Sequence, residues 1–211
     1  MKRKTGTQFC RNFLLILFLL VALGIFPSGA KAGDDVLVLE EMNVLALPEY
    51  LTNDVVVNQI GVFVNTSDTV YQGRIEFELP KEAEVTDFSI MLEDFYSRYY
   101  EIVEEETGNI ARYDMLEPLP PGEKLVLMVE YKYPLEIADG KREMEIKVRS
   151  KYPVEKLGMG IQKPFRTTDF TLDPETDIMI TDREGFDIYQ YEFTDVKPNE
   201  SLGFVFSYQK T

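Results

Sequence analysis

Apolar and charged side chains that alternate one by one favour a single backbone solution, an antiparallel strand with one buried face and one wet face. This chain repeats that alternation along most of its length. Arg74-Ile75-Glu76-Phe77-Glu78-Leu79 sets three apolar side chains against three charges. Glu143-Met144-Glu145-Ile146-Lys147-Val148-Arg149 repeats the pattern, and Tyr189-Gln190-Tyr191-Glu192-Phe193 does so again. The runs Val36–Leu47 and Val55–Val64 read as longer or more buried strands, and Leu125–Tyr131 and Leu202–Tyr208 add two more. Turn signals separate many of them, among them Asn65-Thr66-Ser67-Asp68, Pro120-Pro121-Gly122, Ala138-Asp139-Gly140 and Lys197-Pro198-Asn199. No segment keeps a 3.6-residue period over three turns. Many short strands with frequent turns predict an all-β sandwich architecture.

An internal repeat refines the expectation. Pro121-Gly122-Glu123-Lys124-Leu125 and Pro198-Asn199-Glu200-Ser201-Leu202 lie 77 positions apart, and Tyr131 and Tyr208, like Gly108 and Gly185, keep the same spacing. Upstream, at a shift of 69, Ile75, Phe77, Leu79, Val85, Phe88 and Ile90 overlay Met144, Ile146, Val148, Val154, Leu157 and Met159. Reconciling the two shifts requires an insertion of about eight residues between Ile161 and Asp182 in the second copy. A duplication of this kind predicts two β-sandwiches in tandem, over residues 33–136 and 137–211. They would stand end to end across a short junction at Tyr133–Gly140. A single sandwich of about twelve strands is the competing arrangement.

The strand patterning, together with the turn Pro121-Gly122-Glu123-Lys124-Leu125 leading to Tyr131, resembles the immunoglobulin-like and fibronectin-like modules of bacterial cell-envelope proteins. The resemblance covers residues 33–211 loosely and includes no diagnostic motif. It implies tandem immunoglobulin-like antiparallel sandwiches used for scaffolding or binding, and carries no active site with it.

The N-terminus gives an address. Lys2, Arg3, Lys4 and Arg11 form a basic head, Phe13–Phe26 an apolar run, and Ala30-Lys31-Ala32 the small-x-small pattern of a cleavage site. Residues 1–32 therefore read as a secretory signal peptide, the apolar run being shorter than the roughly 20 residues a membrane-spanning helix needs. The expected destination is secreted or extracytoplasmic, at a bacterial cell envelope, with no membrane insertion of the mature chain. Cleavage removes the only cysteine and five of the 22 Lys and Arg residues but none of the 37 Asp and Glu, deepening the net charge from −15 to −20. Such a field repels nucleic-acid phosphates and favours cationic partners.

The chain contains no histidine, and without cysteine the mature protein has neither Ser-His-Asp nor Cys-His chemistry nor a thiolate zinc site. Carboxylate, Lys, Tyr or Ser-Lys chemistry is what remains, and no sequence feature selects a carboxylate pair for glycoside hydrolysis. Two clusters qualify as candidate sites. Asp173, Asp177, Asp182 and Asp187 belong to an acidic stretch that could supply oxygen ligands to a structural calcium ion, although Pro174 and Ile178 interrupt the spacing. Tyr96, Arg98, Tyr99 and Tyr100 form the densest aromatic patch, of the composition favoured at binding hot spots. The acidic run Glu101, Glu104, Glu105, Glu106 reads as a solvated hairpin tip or a docking surface for a cationic partner.

No other cofactor is implied. The sequence points to a non-enzymatic interaction or structural module that contacts a protein or glycan at the cell surface and could form homo-oligomers. One alternative is a surface-filament subunit that donates Val36–Leu47 as a strand. The other is a carboxylate-dependent glycan-active protein, which requires a pocket lined by tyrosine and two carboxylates.

Overall fold

The computed structural model describes residues 36–50, 53–90, 100–106 and 108–210. The signal-peptide features of residues 1–32, and Tyr96, Arg98 and Tyr99 of the aromatic patch, lie outside the described residues.

The described chain is all-β. The strands are β1 (Leu37–Pro48), β2 (Asp54–Asn65), β3 (Arg74–Leu79), β4 (Glu84–Ile90), β5 (Tyr100–Glu104), β6 (Asn109–Asp114) and β7 (Lys124–Pro134). They continue with β8 (Glu136–Ala138), β9 (Lys141–Arg149), β10 (Val154–Gln162), β11 (Thr167–Asp173), β12 (Met179–Thr181), β13 (Asp187–Val196) and β14 (Ser201–Lys210). The alternation behaves as pleat geometry requires. In β2 every second residue from Val55 to Asn65 is buried, and in β9 Met144, Ile146 and Val148 are buried between exposed charges.

Three sheets result. Seven strands form the largest, in the order β12-β13-β10-β1-β2-β7-β4, and two smaller sheets run β11-β14-β9-β8 and β3-β6-β5. Aromatic contacts pack the small sheets onto the large one. Phe63 of β2 meets Phe77 of β3 edge-on with ring centroids 5.6 Å apart, and Tyr191 of β13 stacks on Phe204 of β14 at 5.0 Å. Ion pairs from Arg149 to Glu78 and from Lys151 to Glu76 join β9 and the turn after it to β3, setting the two small sheets side by side.

The expected boundary at 136/137 falls inside this arrangement. Strands β10, β12 and β13 enter the same seven-stranded sheet as β1, β2, β4 and β7, and one continuous buried cluster runs from Leu37 to Tyr208. The joint is β1, which pairs antiparallel with β2 on one side and parallel with β10 on the other. Val36–Leu47, the strand a filament subunit would donate, therefore has both of its edges occupied within its own chain.

One pairing scheme occurs twice. The orders β2-β7-β4 and β3-β6-β5 are matched by β9-β14-β11 and β10-β13-β12, with every pairing antiparallel. Even the bulges correspond, between Val85 and Asp87 in β4 and between Thr168 and Thr171 in β11. Tyr131 in β7 and Tyr208 in β14 hold matching places, but the shift of 69 does not survive. It overlays β3 on β9 and β4 on β10, whereas the pairing equates β2 with β9, β3 with β10 and β4 with β11. Strands with equal alternation are interchangeable to a sequence comparison and distinct to a hydrogen-bond ladder.

Candidate functional site

A cleft of about 360 Å³ opens where the two small sheets meet. The end of β3, the Pro80–Ala83 turn and the start of β6 form one wall, and β9 with the start of β14 forms the other. Two residues hold the first wall in place. Gly108 lies so close to β3 that a Cβ there would sit 2.5 Å from the Leu79 carbonyl oxygen, and the buried Asn109 side-chain amide donates to the Lys81 carbonyl at 3.0 Å.

Charge of both signs lines the cleft. Arg149 Nε pairs with Glu78 at 2.8 Å and Lys147 Nζ with Glu145 at 2.7 Å, while Glu82 and Glu105 hold no ion pair among the described residues. The Tyr133 hydroxyl donates to the Glu145 carbonyl at 3.4 Å. Burial, and then the charges of Glu145 and Glu82, push the Tyr133 phenol far above its ordinary value, so it serves as a neutral donor. A polar ligand could be held here between fixed cations and carboxylates. One oxygen of each carboxylate, Glu78 Oε2 and Glu145 Oε2, is already held in its ion pair.

Two further charge clusters lie between strands rather than in a cleft. Glu49, at the end of β1, accepts from Tyr208 Oη and Lys210 Nζ, each at 2.8 Å, and from Arg142 Nε at 3.3 Å. Its burial alone would raise its pKa, but the hydrogen bonds from Lys210 and Tyr208 and the charges of Lys210 and Arg142 outweigh it, and the net shift is downward. Glu76 follows the same logic, with burial opposed by hydrogen bonds from Lys151 and Arg112 and a net shift downward. Glu49 ties the end of β1 to β9 and β14, and Glu76 ties β3 to β6 and to the turn after β9.

The sequence-derived candidates are dispersed. Asp182 Oδ1 accepts the amides of Glu184 and Phe186, and Asp187 Oδ1 accepts the Thr181 hydroxyl, so both serve the β12–β13 turn. Asp173 closes β11, and Asp177 lies between β11 and β12. No three acidic side chains converge on a metal position among the described residues. Tyr100, the described member of the aromatic patch, turns inward and stacks on Phe88 with centroids 5.2 Å apart. Glu101 faces Arg112 at 3.6 Å.

One surface has no counterpart in the sequence reading. Ile178, Met179 and Ile180 are 46%, 47% and 46% exposed at the outer edge of the seven-stranded sheet. Three consecutive apolar residues on a strand cannot all face inward, and that was the available signal. No protein-family model matches the chain, and no curated protein matches it.

Proposed function

We infer that this is an extracytoplasmic, non-catalytic β-sandwich protein that holds a partner protein at a bacterial cell surface, built from two immunoglobulin-like units sharing one sheet. In each six-stranded set the second, fifth and fourth strands form one sheet and the third, sixth and first the other. Constant-type immunoglobulin domains order B-E-D and C-F in this way, and the first strand here takes the place beside F that G has there. The observation that carries the non-catalytic reading is the use of charge. The acidic side chains most enclosed by the fold, Glu49 and Glu76, are committed to cations that lock strand to strand. Donation of β1 to a neighbouring copy would empty the centre of the large sheet, and we do not propose it.

A second reading rests on the cleft, which places Tyr133 beside Glu78 and Glu145 as a glycan-active protein would require. Two measurements on the protein in its native envelope test these readings. Photocrosslinking from exposed positions should give discrete adducts with an envelope protein, and N-terminal sequencing should start at Gly33. Release of reducing ends from envelope polysaccharide, abolished by Glu78→Gln or Glu145→Gln, would overturn the non-catalytic reading in favour of the second.

A further inference from the structure

Edge strands expose unpaired backbone groups, and folded proteins usually blunt them with charge, bulges or cover. Most described edges here follow that rule. Strands β4 and β11 each carry a bulge and acidic residues, β5 carries Glu101 and Glu104, and β3 is joined to its neighbour by the Glu78–Arg149 ion pair. Strand β12 has neither bulge nor charge, only Met179-Ile180-Thr181. It forms one end of the large sheet.

The backbone of β12 is set up to extend the sheet. The Ile178 carbonyl accepts from the Gln190 amide and the Asp182 amide donates to the Phe186 carbonyl, both at 2.9 Å, so these groups are turned towards β13. Antiparallel pairing alternates, so the backbone amides and carbonyls of Met179 and Thr181 point to the open side. The apolar surface continues to the end of the hairpin, where Phe165, 56% exposed, packs on Phe186 with centroids 4.0 Å apart. The charges beside β12 itself are mostly acidic. Asp177 precedes the strand, and Asp182, Glu184 and Asp187, with Arg183 among them, follow it in the turn and at the start of β13, while the whole chain carries a net charge of −15.

We propose that β12 is a docking edge that takes an extended segment of a partner protein, in which apolar residues alternate with lysine or arginine, as an added antiparallel strand. Main-chain hydrogen bonds to Met179 and Thr181 supply the pairing, Ile178 and Ile180 the apolar contact, and the acidic rim the selection for cationic side chains. Charge distinguishes this occupant from a second copy of the chain, since edge-to-edge pairing of two copies would set one acidic rim against another. The proposal rests on the partner-holding function and names the surface and the partner chemistry.

The test uses the chain as secreted, isotope-labelled, with two eight-residue peptides, one alternating valine with lysine and one alternating valine with glutamate. The valine–lysine peptide should shift the amides of Met179 and Thr181 and protect them from exchange. Its affinity should weaken severalfold when NaCl rises to about 0.3 M, where screening extends over only a few ångströms. Ile180→Lys, checked for unchanged circular dichroism, should weaken binding about tenfold, whereas Val70→Lys on another exposed surface should not. Asp177→Lys with Glu184→Lys should reverse the peptide preference. Equal binding of both peptides, shifts confined to the cleft, or concentration-dependent dimers lost in Ile180→Lys would each overturn the proposal. An Ile180→Lys chain that still gives its native crosslinked adducts would retire this edge while leaving the partner-holding function standing.

Discussion

Replacing Glu49 with glutamine should cost about 2–3 kcal/mol of stability at neutral pH, because it removes a negative charge from a site built around three donors. The Glu49 side chain is 5% exposed, and Tyr208, Lys210 and Arg142 all direct protons at it. Breaking a fully buried pair costs roughly 3–5 kcal/mol. Here the Lys210 side chain is 38% exposed, so water takes over part of its solvation and the cost falls to the lower end of that range or just below it. Glutamine keeps an acceptor for the Tyr208 hydroxyl, which also limits the loss. For a chain of this size the change corresponds to a fall of roughly 4–12 °C in Tm. Far-UV circular dichroism is the suitable probe, because the chain has no tryptophan.

The pH dependence tests the cause. The folded pKa of Glu49 lies below its unfolded value. Its contribution is therefore fully present above the ordinary carboxylate range and is lost as pH falls through the folded pKa. The parent and Glu49→Gln should differ at pH 7 and converge once the pH has fallen below the folded pKa of Glu49, where both carry an uncharged group. A Glu49→Gln midpoint within about 1 °C of the parent at pH 7, or a gap that persists undiminished in acid, would refute the assignment.

Three other outcomes follow from the packing. Gly203→Ala should destabilise by about 1–3 kcal/mol in urea unfolding, since its Cβ would stand 2.3 Å from the Ile146 carbonyl oxygen on the paired strand β9. Deleting residues 36–48 removes the strand between β2 and β10 and should abolish cooperative unfolding; a folded monomer with an unchanged melt would show that the large sheet does not depend on β1. Arg149→Ala at the cleft should cost only about 0.2–1 kcal/mol, because its pair with Glu78 is partly exposed, and a larger loss in a thermal melt would mean that it holds the two small sheets together.

The strands most legible in the sequence were those whose alternation is complete. Arg74–Leu79 is read and observed with the same ends, and Glu143–Arg149 and Tyr189–Phe193 fall within β9 and β13. The short strands β8 and β12 were not legible, because they lack an alternating apolar face and owe their conformation to the strands they pair with, and in β11 only Phe170 and Leu172 alternate, beside a bulge. The cleft was equally hidden. Glu78 and Arg149 belong to two excellent alternating strands, and nothing local says that their wet faces adjoin. In the acidic stretch, proximity along the chain does not reveal that Asp182 Oδ1 and Asp187 Oδ1 accept hydrogen bonds within their own hairpin.

By itself, then, the sequence determined the secondary-structure class, which residues of the main strands turn inward, the charge excess and the absence of histidine. Those properties follow from composition and from the two-residue pleat, which acts over a few bonds. The tertiary structure alone decided which strands are neighbours. Parallel pairing of β1 with β10 puts both halves into one sheet, and it leaves β12 at the sheet's outer edge. A strand with one apolar face can satisfy its backbone against many partners, and only the competition among all of them, settled by shared burial in one core, selects the pairing that forms.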